Sequence, residues 1–355
     1  MFLRHLFSRS LPALDWIQVG VTSHCNAACV YCPCTVYRNR WQGHHMSLQT
    51  FKKILPFCSI KTLLHLQGWG EPFLNPDFFE MIYLAKKQGF RVSTTTNGSL
   101  ADKNSLARII DLGVDIIAFS LAGTDSSNDE IRKGTHLEQV LKSIACLNRL
   151  KHMRKVLKPE IHIAYMLLRS GLKNIERLPA LMQDLDISQV VISTLDFIPD
   201  ARFAEASFVS NHQVLSDLQA HLDNIVADGQ ARGIEIHYQI PAAEQHSLCS
   251  ENVLKSLVIT SDGNVSPCVF TNMPLINTNA VSEAHSTSYL PLRLGNIHTT
   301  SLDQIWWQKR AKTLRRSFAQ RQYLPPCIDC SKRRIVTDQA SLKPSTDSDI
   351  LNLPD

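Results

Sequence analysis

Six apolar runs punctuate the first 195 residues, and segments with helical periodicity lie between them. The runs are "DWIQVGVT" (15–22), "TLLHLQ" (62–67), "FRVSTT" (90–95), "VDIIAFSL" (114–121), "EIHIAYML" (160–167) and "SQVVISTL" (188–195). Helical patterns fall near 47–57, 76–88, 102–112, 136–150 and 173–185. Strands that alternate with helices pair in parallel, because each helix carries the chain back to the starting end of the sheet. The expected fold is α/β, a parallel sheet curved into a partial (β/α)6 TIM-like barrel. The runs show little apolar–polar alternation, which predicts strands covered on both faces.

A second, smaller region is expected to follow. "LVITSDGNVSPC" (257–268) holds two short strand-like runs around an Asp-Gly turn, a hairpin signal. Residues 301–320 read as a basic helix in which Trp306 and Trp307 pack inward while Lys309, Arg310, Lys312, Arg315 and Arg316 form a solvated face. The expected organisation is a lead-in over 1–14, a barrel over 15–240, a cysteine-rich unit over 241–337 and a disordered Ser/Asp/Pro-rich tail over 338–355.

No apolar stretch reaches the length of a membrane span. The net charge of +5 suits an anionic ligand without marking a nucleic-acid binder. No secretory signal opens the sequence, so a cytoplasmic location is expected. Ten cysteines in such a chain point to metal or redox chemistry rather than a disulfide framework.

In a parallel α/β fold, ligands bind at the carboxyl ends of the strands. The first run leads into "CNAACVYCP" (25–33), which spaces Cys25, Cys29 and Cys32 as C-x3-C-x2-C. The second ends in "GWGEP" (68–72), the third in "TTNGS" (95–99) and the fourth at Ser120. The fifth leads to Tyr165 and Arg169, and the sixth to Asp196. Three thiolates fall short of a closed zinc site, which takes four protein ligands. They suit a 4Fe-4S cluster with one iron left open to an external ligand. Cys34 lies outside this spacing, and Cys58 and Cys146 read as small core residues on helices.

Cys249, Cys268, Cys327 and Cys330 form a second set, C-x18-C followed by C-x2-C. Four thiolates close either a zinc site or a second iron–sulfur cluster.

On the C-x3-C-x2-C motif and "GWGEP", the sequence resembles the radical S-adenosylmethionine superfamily. The resemblance spans residue 15 to about 335. It implies that Cys25, Cys29 and Cys32 hold a 4Fe-4S cluster whose open iron chelates S-adenosylmethionine. It places Tyr31 near the adenine and Gly68, Gly70 and Glu71 at the methionine end. Ser120 and Arg132 match positions that contact the ribose or the carboxylate, and Thr96 and Asn97 stand near the ribose or else form a helix-entry turn. A solvated helix charge is the other reading of Arg132. Gly263 and Cys268 resemble a SPASM extension. No cysteine follows Cys330, as in its shorter twitch version, which implies one auxiliary 4Fe-4S cluster on Cys249, Cys268, Cys327 and Cys330. The implied reaction is reductive cleavage of S-adenosylmethionine to a 5′-deoxyadenosyl radical that abstracts hydrogen from a substrate. The expected partners are a small-molecule or peptide substrate and an electron donor such as flavodoxin or ferredoxin, with no membrane or nucleic acid. A small-molecule oxidation is the first reading. A peptide-modifying maturase and a non-enzymatic iron–sulfur electron-transfer protein are the alternatives.

Overall fold

The computed structural model describes residues 11–195, 197–198, 201–208, 212–241, 249–276, 291–328, 330–333 and 335–337. Asp196, most of the lead-in and the tail from 338 lie outside the described residues.

All six expected strands form. They are β1 (Trp16–Val19), β2 (Leu63–Leu66), β3 (Arg91–Thr96), β4 (Ile116–Leu121), β5 (Glu160–Leu167) and β6 (Gln189–Thr194). They pair in parallel in chain order, for example Gln18 with His65, His65 with Ser93 and Ala118 with His162. The sheet runs one strand further than the sequence reading. A long helix, His212–Ala231, leads into β7 (Glu235–Pro241), which pairs in parallel with β6.

The expected hairpin joins the same sheet. Strand β8 (Ser256–Ile259) pairs in parallel with β1 on the side away from β2, and β9 (Asn264–Ser266) returns antiparallel. Gly263 makes the tight turn between them at φ +81°, a backbone region that side chains other than glycine rarely adopt. Two short antiparallel strands, β10 (Gly295–Asn296) beside β9 and β11 (Ile335–Thr337) beside β7, finish the edges. The described sheet has eleven strands.

The strands do not have two equally covered faces. Along β4 the residues alternate half-buried and buried from Ile116 to Leu121, and β1, β2 and β6 alternate likewise. The buried set, with Ile17, Leu64, Val92, Phe119, Ile163, Ile192 and Tyr238, joins the helices in one apolar core. The half-buried set includes Gln18, His65, Thr95, Ser120, His162, Gln189 and His237. A barrel that keeps its inside for a ligand needs this polar inner wall, which corrects the two-face expectation. Tyr165 falls on the buried, helix-facing side of β5 rather than at the mouth.

The basic helix is two helices, Leu302–Trp307 and Lys309–Ala319, broken where Gln308 is extended at ψ 160°. Arg315 is not solvated. It is buried over the Trp306 ring at 4.0 Å, donates to the Trp306 carbonyl at 2.8 Å, and is pushed down to about 10 by burial. Trp306 packs inward as expected.

Candidate active site at the barrel mouth

The segment after β1 is fixed before the cysteines begin. The Thr22 hydroxyl donates to the His44 carbonyl at 3.1 Å, and the Ser23 hydroxyl donates to the Gln42 carbonyl at 2.9 Å. Trp41 Nε1 donates to the Ser23 carbonyl at 2.9 Å. "GWGEP" then lies directly on this segment. The Gly70 N–H donates to the Thr22 carbonyl at 3.2 Å, and the Glu71 N–H to the His24 carbonyl at 2.9 Å. A Cβ on Gly68 would stand 2.8 Å from the Thr22 oxygen, and one on Gly70 would stand 2.2 Å from the His24 oxygen. These glycines therefore admit the cysteine-bearing loop itself, a reason independent of any cofactor. Gly70→Ala is expected to cost about 1–3 kcal/mol through this backbone clash. A urea melt of the metal-free protein measures it.

Glu71 is buried, and its carboxylate is gripped from three sides. Oε1 accepts from the Thr96 hydroxyl at 2.8 Å and the Phe73 N–H at 3.3 Å, and Oε2 accepts from the Asn97 N–H at 2.7 Å. Burial pushes its pKa up to about 6 despite these donors and the nearby Arg132 charge. A carboxyl whose folded pKa is raised stabilises the fold below its ordinary pKa, and that stability is lost as the pH rises through the folded value. From the usual 4.5 to about 6, the loss is about 2 kcal/mol. Urea midpoints at pH 4.5 and 7.5 should therefore show an increment in the metal-free wild type that Glu71→Gln lacks.

Asn97 also reaches the cysteine loop. Its Nδ2 donates to Asn26 Oδ1 at 3.0 Å and stands 4.0 Å from Cys25 Sγ. The sequence reading placed Thr96 and Asn97 near a ribose. Their observed contacts hold Glu71 and the loop, a role visible only once the ends of β2 and β3 are adjacent. Ser120 is half-buried on the inner face of β4.

Arg132 is not a solvated helix charge. Ala28–Cys29 and Arg132–Lys133 form a two-residue antiparallel ladder that sets Cys29 opposite Arg132. Arg132 is 6% exposed, and its Nη1 donates to the Tyr31 hydroxyl at 2.6 Å. Its Nε is buried without a hydrogen-bond partner. Burial alone would lower the Arg132 pKa, but Tyr31, Cys29 and Cys32 more than offset it and the net direction is up. Burial, reinforced by neighbouring thiols, also raises Cys25 and Cys32. Cys34, outside the motif, lies in the same electrostatic neighbourhood and is raised to about 11, first by burial and then by Cys25.

The second set of cysteines also converges. Cys249 is half-buried, Cys268 follows β9, Cys327 lies on the turn Pro325–Ile328, and Cys330 comes just after it. Burial raises all four thiols, and the charge of Cys330 raises each of the other three. The Ser250 N–H donates to the Lys332 carbonyl at 3.1 Å, and Lys332 pairs with Glu251 at 3.3 Å. Arg333 Nη1 donates to the carbonyls of Cys327 and Ile328 at 3.1 and 2.9 Å. Nothing in the sequence spacing singled out Glu251, Lys332 or Arg333, because their partners lie across a long gap. Among the described residues, no three His, Cys, Asp or Glu side chains already form the ligand set of a single metal ion.

The donor chemistry of both groups fits iron–sulfur clusters. Soft thiolates favour them, and a buried guanidinium with a free donor beside the first group suits the charge of a bound carboxylate. No helix among the described residues is long and apolar enough to cross a membrane.

Comparison with known proteins agrees with this geometry. The radical SAM superfamily model matches residues 19–158, and the SPASM iron–sulfur cluster-binding domain matches residues 249–331. A tungsten-containing aldehyde ferredoxin oxidoreductase cofactor-modifying protein of Pyrococcus furiosus is 24% identical over 340 residues, covering 90% of this chain and 88% of that protein. A PqqA peptide cyclase of Gluconobacter oxydans is 22% identical over 322 residues, covering 88% and 81%. The structure of Streptococcus suis SuiB bound to S-adenosylmethionine has a TM-score of 0.62 at 14% identity, covering 87% of this chain and 69% of that one. That likeness is one of fold, the partial TIM barrel. The chain belongs to the radical SAM superfamily, carries a SPASM extension, and has S-adenosylmethionine and 4Fe-4S clusters as its cofactors.

Proposed function

We propose that Cys25, Cys29 and Cys32 hold the cluster that binds S-adenosylmethionine, that Cys249, Cys268, Cys327 and Cys330 hold one auxiliary 4Fe-4S cluster, and that the chain oxidises an organic substrate by hydrogen abstraction. The observation that carries this reading is the ladder setting Cys29 opposite Arg132, whose buried Nε has no partner. When bound, the reduced cluster supplies the electron that cleaves S-adenosylmethionine to methionine and a 5′-deoxyadenosyl radical. Arg132 offers its free donor to the methionyl carboxylate, and Tyr31, hydrogen-bonded to the same guanidinium, stands beside the adenine. Gly68 and Gly70 hold the backbone that receives the amino group, with Glu71 locked beneath by Thr96 and Asn97. Ser120 on the inner wall contacts the ribose side.

A small molecule is the first reading of the substrate, and the match to a cofactor-modifying protein favours it. The match to a peptide cyclase favours a peptide as the second. The electron comes from a flavodoxin or ferredoxin, and the chain works in the cytoplasm.

Metal content tests the assignment of both groups. Anaerobically reconstituted wild type should hold roughly eight irons and eight sulfides per chain. The variant with Cys25, Cys29 and Cys32 all changed to Ala should keep about half of each. Zinc without labile sulfide in that variant would overturn the auxiliary cluster.

A further inference from the structure

Trp69 interrupts the two glycines of "GWGEP", and its ring is the centre of an aromatic arch. It meets Trp41 edge-on with centroids 6.1 Å apart and Phe270 edge-on at 6.0 Å. Phe270 in turn lies 5.4 Å from Phe197 at an interplanar angle of 31°. Trp69 follows β2 and Phe197 follows β6, with β3, β4 and β5 between those strands in the sheet. Phe270, two residues after Cys268, thus links side chains from separated strand ends across the mouth. Met273 and Leu275 are buried against Trp41, Trp69 and Phe197, and these three rings and Phe270 remain half-buried.

Two features separate this arch from ordinary core. Trp41 follows the first group of cysteines and Phe270 follows Cys268 of the second, and Trp69 and Phe197 belong to strand ends at the same mouth, where a substrate has to reach. And Trp69 Nε1 is buried with no hydrogen-bond partner, whereas Trp41 Nε1 has one. A buried donor left unmade carries a desolvation cost that a suitably placed acceptor removes.

We infer that this arch is the substrate's seat, and that it takes a flat conjugated ring bearing an acceptor atom. The ring stacks on the aromatic faces, and its acceptor receives the Trp69 Nε1–H. The inference deepens the radical reading, on which it rests for the reaction that follows binding. Either a free heterocycle or an aromatic residue within a peptide offers the same chemistry.

Calorimetric titration of the anaerobic holoenzyme with S-adenosylmethionine tests it with four probes. A pterin and a tyrosine-centred hexapeptide carry the ring, and glucosamine and the matching leucine-centred hexapeptide do not. At least one ring-bearing probe should bind tenfold or more tightly than its counterpart, about one stacked ring's worth. Trp69→Leu should lose roughly that factor, and Trp69→Phe, which keeps a ring but no donor, should lose about threefold. Preference for the pterin identifies a free ring compound, and preference for the tyrosine peptide a peptide-borne ring. If Trp69→Leu fails to retain its iron, Phe270→Leu reads the same loss. Equal binding of ringed and ringless probes, or wild-type binding by the leucine variant, overturns the inference. Failure of the radical reading shows separately, as no 5′-deoxyadenosine from the wild type whatever the probes do.

Discussion

Replacing Cys327 and Cys330 together by alanine should leave S-adenosylmethionine cleavage in place while turnover of the true substrate falls by about a hundredfold or more. Both residues lie on the segment after Pro325, and neither takes part in the ladder that joins Cys29 to Arg132. On the proposed assignment, loss of the auxiliary cluster would remove the electron acceptor or binding surface for the substrate and leave Tyr31, Glu71 and Arg132 in place. Folding is the confounding factor, because cluster binding contributes stability to the segment that carries it. Arg333 and Lys332 tie the turn to Cys327 and Glu251 through contacts that do not require the thiols. Circular dichroism and iron content on the same sample, with about half the iron retained, therefore accompany the assay. Wild-type turnover by a folded double variant would make the auxiliary cluster structural and remove the main support for an oxidative reaction.

The parts of the site carried by local spacing were legible in the sequence. C-x3-C-x2-C and "GWGEP" each need only a few consecutive residues, and both stand at strand ends as read. The hairpin around Gly263 was legible for the same reason, since its turn chemistry is local. What depended on distant partners was not. Arg132 sits on a polar, charged stretch, "DEIRKG", and only its pairing with Cys29 buries it. Arg315 looked like one of five solvated cations until the break at Gln308 turned it over Trp306. The apolar runs concealed the polar inner wall because Gln18, His65 and Ser120 are single residues within them. Strand β7, "EIHYQIP", went unread although it has the same character as β5. The arch around Trp69 was not legible, because its ring partners come from segments far apart in the chain.

Cleavage of the cofactor is the central claim, and Cys29 is its most exposed point. Cys29 is 9% accessible, paired through the backbone with Arg132, and in the same electrostatic neighbourhood as Cys25, Cys32 and Cys34. Alanine there keeps the ladder, which uses only backbone groups, and removes one of three thiolates. The second set of cysteines is untouched, so its iron serves as an internal control. The direct measurement is 5′-deoxyadenosine released under dithionite with S-adenosylmethionine and no substrate. The wild type is expected to release it slowly and Cys29→Ala to release none, with about half the iron still bound in the variant. Equal release by both proteins would contradict the assignment of Cys25, Cys29 and Cys32 to the cleaving cluster.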